Sequence, residues 1–231
     1  MSPRFLSATS FVAANGWLAS CSPAFRDWML AHLQWQQYRN GAGVSHAGDT
    51  EGALYCVVEG QVRFAAGVGV ADSGSSYFGL PGTWWGHAPL LGGKRLGSIV
   101  AAGETLCGVV PVSLLRARLA AHPEDWQAIT LGIADLFQQS AGGHADLLIP
   151  DSQRRVAATI LRLGGRRHRL FRIAPPAQFL CTHEELAGAT ALSRNTVGKL
   201  LRQFEQAGLV DSRYGRIAIL DSRRLRALVD A

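Results

Sequence analysis

The sequence predicts an α+β protein in three parts: a strand-rich N-terminal region, one long amphipathic helix, and a C-terminal helical region that closes on a small hairpin. Three observations carry this expectation. Between Gly41 and Gly108 lie 16 of the 26 glycines, punctuating short apolar runs such as ALYCVVEGQVRFAA. After Pro123 the apolar spacing changes to three- and four-residue steps, the period of a helix. The charge is also partitioned: residues 1–150 hold 8 Lys/Arg against 10 Asp/Glu, a net −2, whereas residues 151–231 hold 15 against 7, a net +8. A chain of 231 residues with 48% hydrophobic content can bury a core and suits two modest domains. The expected divisions are a lead-in and strand-rich domain over 1–121, a long helix over 122–149, and a basic C-terminal domain over 150–231.

At the N-terminus, FLSATSFVAANGWLASC ends in Leu18-Ala19-Ser20-Cys21, a pattern shared with lipoprotein cleavage boxes. The stretch has only Arg4 as its basic residue and is broken by Ser7, Thr9, Ser10 and Asn15, so a helix-and-turn lead-in is expected instead. In PAFRDWMLAHL, the residues Phe25, Trp28, Met29 and Leu33 fall on one helical face. No window reaches about 18 uninterrupted apolar residues, the minimum for a membrane span. The cysteines at 21, 56, 107 and 181 are too dispersed for a zinc knuckle or a secreted disulfide scaffold, which fits a reducing cytoplasm.

The glycine-separated runs that follow imply a β-roll, barrel or sandwich, with Glu59-Gly60 read as a hairpin turn. Beyond Pro123, the residues Trp126, Ile129, Ile133, Leu136, Phe137, Ser140, His144 and Leu147 make one helical stripe. That stripe can be covered by the chain's own barrel or by a twin helix, and its near-heptad spacing favours the twin. Gly142 and Gly143 weaken the helix by roughly 1 kcal/mol each relative to Ala, a candidate bend. Pro150 separates it from DSQRRVAATILRL, capped by Asp151 or Ser152, with Val156, Ile160, Leu161 and Leu163 facing inward.

The stretch THEELAGATALSRNTVGKLLRQFEQ carries the chemistry. Thr182 with Glu185 forms a capping box and opens a short helix that buries Leu186, Ala187 and Ala189. Ser193 caps a second helix that ends at Gly208. On it Val197, Leu200, Leu201 and Phe204 form one stripe, and Arg194, Asn195, Gly198, Lys199 and Arg202 the opposite one. A helix-turn-helix seats the N-terminal part of its second helix in the major groove of DNA. Arg194, Asn195 and Lys199 are then placed to meet base edges, where Arg or Lys suits guanine and Asn suits adenine, at about 1–3 kcal/mol per bidentate pair. Thr182, His183, Ser193, Thr196 and Arg202 surround them. Downstream, GLVDSRYGRIAIL reads as strand, Tyr214-Gly215 turn and strand, a wing whose Arg213 and Arg216 suit phosphate contact. DSRRLRALVD closes the chain as a capped helix.

A glycine-punctuated β-roll, a pairing helix and a winged helix-turn-helix in this order resemble the Crp/Fnr family of bacterial transcription regulators. LSRNTVGKLLRQFEQAGLV is similar to the family's recognition helix and its exit, and LYCVVEGQVRF to its first β-roll hairpin. WWGHAPLLGGKRLGSIVAAGETLCGVV resembles the segment that cradles the phosphate in cyclic-nucleotide-binding members. The resemblance implies a jelly-roll-like sensor domain, a homodimer on a two-fold symmetric double-stranded DNA site, action through RNA polymerase, and a small-molecule effector near Trp84, Trp85, Gly86, His87, Gly97, Ser98 and Ser140.

The cradle departs from the family pattern. Nucleotide-binding members carry Phe-Gly-Glu and then an Arg-Ser pair, whereas this chain has Trp85-Gly86-His87 and Gly97-Ser98. A buried phosphate without its Arg loses a charge-assisted bidentate partner, which argues against cyclic AMP unless Lys94 or Arg95 compensates. An iron–sulfur cluster needs grouped Cys ligands, and only Cys21 lies near the N-terminus. Haem stays open as an alternative, with His87, Cys56 or Cys107 as nominal axial ligands. The rival from another class is a cupin-like metalloenzyme, which needs His pairs with a carboxylate. The seven histidines show no His-x-His pairing, and no Gly-x-Ser-x-Gly elbow or Walker-type loop occurs. No catalytic residue and no metal ligand is therefore assigned.

Overall fold

The computed structural model describes residues 3–66 and 77–230. Three helices lead in: α1 (Pro3–Ala14), α2 (Gly16–Ala19) and α3 (Pro23–Ala31). Then come β1 (Gln34–Tyr38), β2 (Gly43–Ser45), β3 (Ala53–Ala66), β4 (Phe78–Gly79), β5 (Trp84–Trp85), α4 (His87–Leu90), β6 (Gly97–Pro111) and α5 (Val112–Ala121). A 3-10 turn at Pro123–Asp125 starts the long α6 (Trp126–Leu147). The remainder is α7 (Ser152–Leu163), β7 (Gln178–Leu180), α8 (His183–Thr190), α9 (Arg194–Gln206), β8 (Val210–Arg213), β9 (Arg216–Ile219) and α10 (Ser222–Asp230). The described residues form two compact units, one comprising 3–66, 79–137 and 170–174, the other 77–78, 138–169 and 175–230.

In the first unit the sheet runs β1-β6-β3-β4, with β2 also on β6 and β5 on β3. Its two faces follow the two-residue alternation of a strand. Leu54, Cys56 and Val58 of β3 join Leu106 and Val110 of β6 in a cluster with Trp17, Leu18, Phe25, Met29 and Ile129. Tyr55, Val57, Ile99, Ala101, Cys107 and Val109 form the other cluster, with Val44, Val62 and Trp85. The expected lead-in is therefore structural: Phe25 and Met29 are buried, and Trp28 and Leu33 pack against the same core. Leu18 and Cys21 lie in that core too.

The hairpin turn expected at Glu59-Gly60 is not formed. β3 runs straight through it, paired with β6 from Ala53↔Pro111 to Ala66↔Gly97, and the register shifts on both sides of Glu59. Gly60 sits at φ +80°, and a side chain there would collide with the Glu104 carbonyl, so the glycine marks a bulge. The Thr105 hydroxyl bridges the irregularity, donating to Gln61 O (2.9 Å) and accepting from Gln61 N (3.4 Å). A Glu-Gly step is compatible with a turn and with a bulge; the partner strand decides.

Helix α6 has two faces of unlike chemistry. The inner face is small and polar: Ala128, Ile129, Gly132, Asp135, Gln139, Gly142 and Asp146 are buried. Of the expected stripe only Ile129 is fully covered, Ile133 and Leu136 are half-buried, and Phe137 is 71% exposed, with Trp126, Ser140, His144 and Leu147 also exposed. Trp126, Phe137, Ser140, His144 and Leu147 therefore face outward, while Ile129 joins the core and Ile133 packs against it. Asp146 is fully buried and accepts from Arg162 Nε (3.0 Å) and Arg167 Nε (2.9 Å), with His168 Nε2 3.0 Å away. The helix is unbroken through Gly142-Gly143, and the first glycine has a packing reason: a Cβ there would overlap the His168 ring.

In the second unit α7 starts at Asp151, whose carboxylate accepts from Arg154 N (2.8 Å), and buries Val156, Ile160, Leu161 and Leu163 as expected. The small sheet β7-β9-β8 stands beside α8 and α9. Replacing a mid-helix glycine by alanine ordinarily adds about 1 kcal/mol of stability. At Gly142 the sign should reverse, with Gly142→Ala costing about 1–3 kcal/mol in urea unfolding because the added methyl overpacks a ring locked to Asp146. Gly143→Ala, whose Cβ would meet only the Arg162 guanidinium at 3.4 Å, should keep the ordinary gain.

Candidate nucleic-acid interface

The second unit builds its outer face from two capped helices. Thr182 N donates to Glu185 Oε2 (2.8 Å) and Glu185 N to Thr182 Oγ1 (3.1 Å), the complete capping box that starts α8. Leu186, Ala187, Ala189 and Thr190 are buried, and Ala191 ends the helix in the left-handed region at φ +52°. Two residues later Ser193 Oγ accepts from Thr196 N (3.1 Å) and starts α9. At the far end Leu209 N donates to Phe204 O (2.9 Å), with Gly208 at φ +67°, so the expected C-terminal stop forms.

Val197, Leu201 and Phe204 are buried and Leu200 is half-buried, while Arg194, Asn195, Lys199 and Arg202 are exposed. One expectation needs correction: Gly198 is buried, near His183 Nδ1, because α8 crosses there. The outward face is thus two cationic or amide residues at the start of α9, then Lys199 and Arg202 on the next turns.

The wing is β8 and β9, paired from Val210↔Ile219 to Arg213↔Arg216. Arg213 and Arg216 are both exposed, and Arg213 Nε holds Asp211 Oδ1 at 2.8 Å. Thr182, His183, Glu184, Arg194, Ser212, Tyr214 and Gly215 line an open depression of about 580 Å³. The starts of both helices and the wing tip therefore meet at one place. Sequence reading found Thr182, His183 and Arg194 there but not Ser212 or Tyr214, because strand pairing, not local pattern, brings the wing alongside.

Residues 154–228 match the family model of the Crp-like helix-turn-helix domain. The chain is 26% identical over 205 residues to the cAMP-activated global transcriptional regulator CRP of Haemophilus influenzae, covering 85% of this chain and 88% of the relative. It is 27% identical over 213 residues to the cyclic AMP receptor protein of Thermus thermophilus, covering 90% and 93%. Residues 154–228 are thus a Crp-like helix-turn-helix domain, and the chain as a whole is similar to Crp-type regulators. Solved structures share the whole architecture: FixK2 from Bradyrhizobium japonicum has TM-score 0.68 at 19% identity, covering 86% of this chain and 98% of that one. A putative cAMP-binding regulatory protein from Silicibacter pomeroyi has TM-score 0.69 at 15% identity, covering 98% and 100%. The chain accordingly has the fold of these regulators, a β-sheet N-terminal domain followed by a C-terminal helix-turn-helix.

The residues expected around an effector do not converge. Successive strand positions send Trp84 and Trp85 to opposite clusters of the sheet. Gly86 caps α4, and His87 turns toward the helices: its ring is 6.3 Å from that of Trp17, and Nε2 lies 3.1 Å from the point where a Cβ on Gly132 would stand. Gly97 is buried at the start of β6, Ser98 Oγ accepts from Ala47 N (3.1 Å), and Ser140 is exposed on α6. Of the two loop cations, Lys94 is exposed and Arg95 is buried. Arg95 Nη2 donates to Ala53 O (2.9 Å), and its guanidinium lies over Tyr55 at 5.4 Å; Tyr55 in turn stacks on Trp85 at 5.2 Å. Arg95, Tyr55 and Trp85 thus fill this side of the sheet with a stack of their own.

These surroundings do not fit haem. An axial bond from His87 Nε2 would run into the α6 backbone at Gly132, and Cys56 and Cys107 are sealed in opposite clusters, where burial pushes the Cys107 thiol up to about 12 and that of Cys56 well above its ordinary value. Cys21 is likewise raised to about 12 by burial. Among the described residues no three His, Cys, Asp or Glu side chains gather at a point suited to a metal ion.

His87 is 6% exposed, and burial, joined by the Arg95 charge, lowers its pKa to about 4. The fold therefore holds the neutral imidazole, while the unfolded chain takes up a proton near pH 6.5. Its contribution is full above pH 6.5 and is lost as pH falls from there through 4, a span worth on the order of 3 kcal/mol. Urea titrations at pH 7.5 and 4.5 should show a smaller acid loss for His87→Leu than for the unaltered protein. Equal losses would mean that His87 is not the linked group.

Proposed function

We propose that the protein is a sequence-specific regulator that binds a two-fold symmetric double-stranded DNA site as a homodimer, with one α9 per half-site. In this reading residues 1–121 form the sensor domain, 122–149 the pairing helix and 150–231 the DNA reader. Arg194, Asn195 and Lys199 reach base edges, while Thr182, His183, Ser193, Thr196, Arg202, Arg213 and Arg216 position the unit on the phosphates. The observation that carries this is the division of α9: its apolar side is locked against the unit by Val197, Leu201 and Phe204, so its polar side has no course but outward. The net +8 of residues 151–231 supplies the sequence-independent attraction to a polyanion.

The exposed stripe of α6 supports the dimer. An isolated chain would leave Trp126, Phe137 and Leu147 in water, at heptad-like spacing that a parallel copy covers. A cytoplasmic setting and contact with RNA polymerase follow from the regulator role.

Cyclic AMP is not the effector in this reading, although the relatives from Haemophilus influenzae and Thermus thermophilus are named for it. The position that would hold the phosphate-binding Arg is Gly97, the His87 ring packs beside Trp17, and the Arg95 guanidinium lies over Tyr55 and donates to the Ala53 carbonyl. A saturating nucleotide should therefore leave Tm unchanged, whereas a true ligand would raise it by mass action.

Selection of bound fragments from random duplexes tests the whole reading and defines the half-site. On that site Arg194→Ala should abolish discrimination at one base pair, about 1–3 kcal/mol. Arg213→Ala should weaken all sequences alike and reduce the salt slope by about one. An Arg194→Ala protein that still discriminates at every position would remove α9 from base reading. Phe137→Asp should convert a dimer to a monomer in sedimentation and lose the advantage of two-fold symmetric over single half-site DNA.

A further inference from the structure

The wing tip carries a side chain that neither its turn nor the fold requires. Tyr214 and Gly215 both have positive φ, +52° and +71°, the signature of a hairpin turn that favours Asn, Asp or Gly at its first central position. An aromatic residue is costly in that conformation. The Tyr214 side chain is 100% exposed, so packing within the chain does not offset the cost. The post on which it stands is nevertheless fixed: Gly215 O accepts from Cys181 N (2.8 Å), and Arg213 pairs with Arg216 across the tip. The ring is thus presented to solvent from a fixed backbone, between two arginines, on the rim of the depression that Arg194 and Thr182 also line.

We infer that Tyr214 is a duplex-contact residue whose ring packs on the deoxyribose edge of the minor groove flanking each half-site. The inference rests on the DNA-reading role of α9. Continuity with that face and the flanking arginines select a polyanion as the partner. A neutral ring cannot engage phosphate charge, but sugar edges are the apolar part of the same backbone. A tyrosine on a fixed backbone has only two χ angles to lose on contact. Because the contact releases no counterions, its contribution is independent of salt, and because it touches sugars, it responds to the width of the flanking groove and not to base identity.

The test measures affinity for the selected duplex across a salt series, with Tyr214→Gly, Tyr214→Phe and Arg194→Ala run in parallel. Tyr214→Gly also relieves the backbone strain, so the free protein should melt no lower than the unaltered one. It should bind about tenfold more weakly, in the range of an aromatic contact, with the slope of log Kd against log salt unchanged. Tyr214→Phe should stay within about twofold, since the ring is retained. Unchanged affinity for Tyr214→Gly overturns the inference, as does a reduced salt slope, which would place the loss on Arg213 and Arg216. A Tyr214→Phe loss equal to that of glycine also overturns it, since the hydroxyl would then be the contact. If Tyr214→Gly is silent while Arg194→Ala loses discrimination, only this inference fails; if Arg194→Ala also keeps discrimination, the reading beneath it fails.

Discussion

How closely α8 can lie across α9 governs what the second unit can present. The crossing is lined by Ala187 and Ala189 on one helix and Val197, Gly198 and Leu201 on the other, all buried. Thr190 would be an unpaired polar group in that seam, but its hydroxyl turns back to Leu186 O (2.7 Å) and Ala187 O (3.2 Å), satisfying itself within its own helix. With Ala191 ending α8 in the left-handed region and Ser193 capping α9 two residues later, the turn is too short for α9 to roll about its axis. A rotation by one residue, about 100° on a helix, would drive the Arg194 and Lys199 side into the seam at the cost of unpaired buried charge. The outward display of cations and amide is a consequence of the seam.

The same logic separates what could be read from the sequence and what could not. Thr182 with Glu185, Ser193, Asp151 and Gly208 are local signals, each completed within about one helical turn, and each is found doing what its position implied. Val197 and Phe204 were equally legible through their period. The Glu59-Gly60 step was not, since its outcome depends on β6, more than 40 residues away. Nor was the inner face of α6. Asp135, Gln139 and Asp146 lie on it, and burial of Asp146 becomes tolerable only because Arg162, Arg167 and His168 arrive from further along the chain. Period alone shows that α6 has two faces; which one turns inward is set by partners that no local window contains.

The sensor side illustrates a second limit. Trp84-Trp85-Gly86-His87 and Gly97-Ser98 align with a ligand cradle in sequence, yet alternation along β5 sends the two tryptophans to opposite sides, and His87 joins Trp17. Motif spacing places backbone, and the chemistry depends on which way each side chain turns. Arg95 makes the point from the other direction. It lies two residues before Gly97, but its guanidinium ends on Tyr55 and the Ala53 carbonyl. Burying a guanidinium requires compensation, and here the aromatic face and the carbonyl supply part of it, with Asp49 3.9 Å away.

Charge partition ties these regions to one function. Net −2 over residues 1–150 against net +8 over residues 151–231 concentrates the attraction for a polyanion on the C-terminal part, so that in the proposed role encounter is already oriented when it occurs. Within the reader the cations are not equivalent. Arg213 is exposed but held by Asp211, so its transfer to a phosphate gives up a surface ion pair worth about 1 kcal/mol or less. Arg194, Lys199 and Arg202 form no ion pair among the described residues and give up only water and counterions. Affinity should therefore be drawn chiefly from α9 itself, the element whose orientation is most tightly fixed. Placing the unpaired charges on the most rigid support makes attraction and register properties of the same helix.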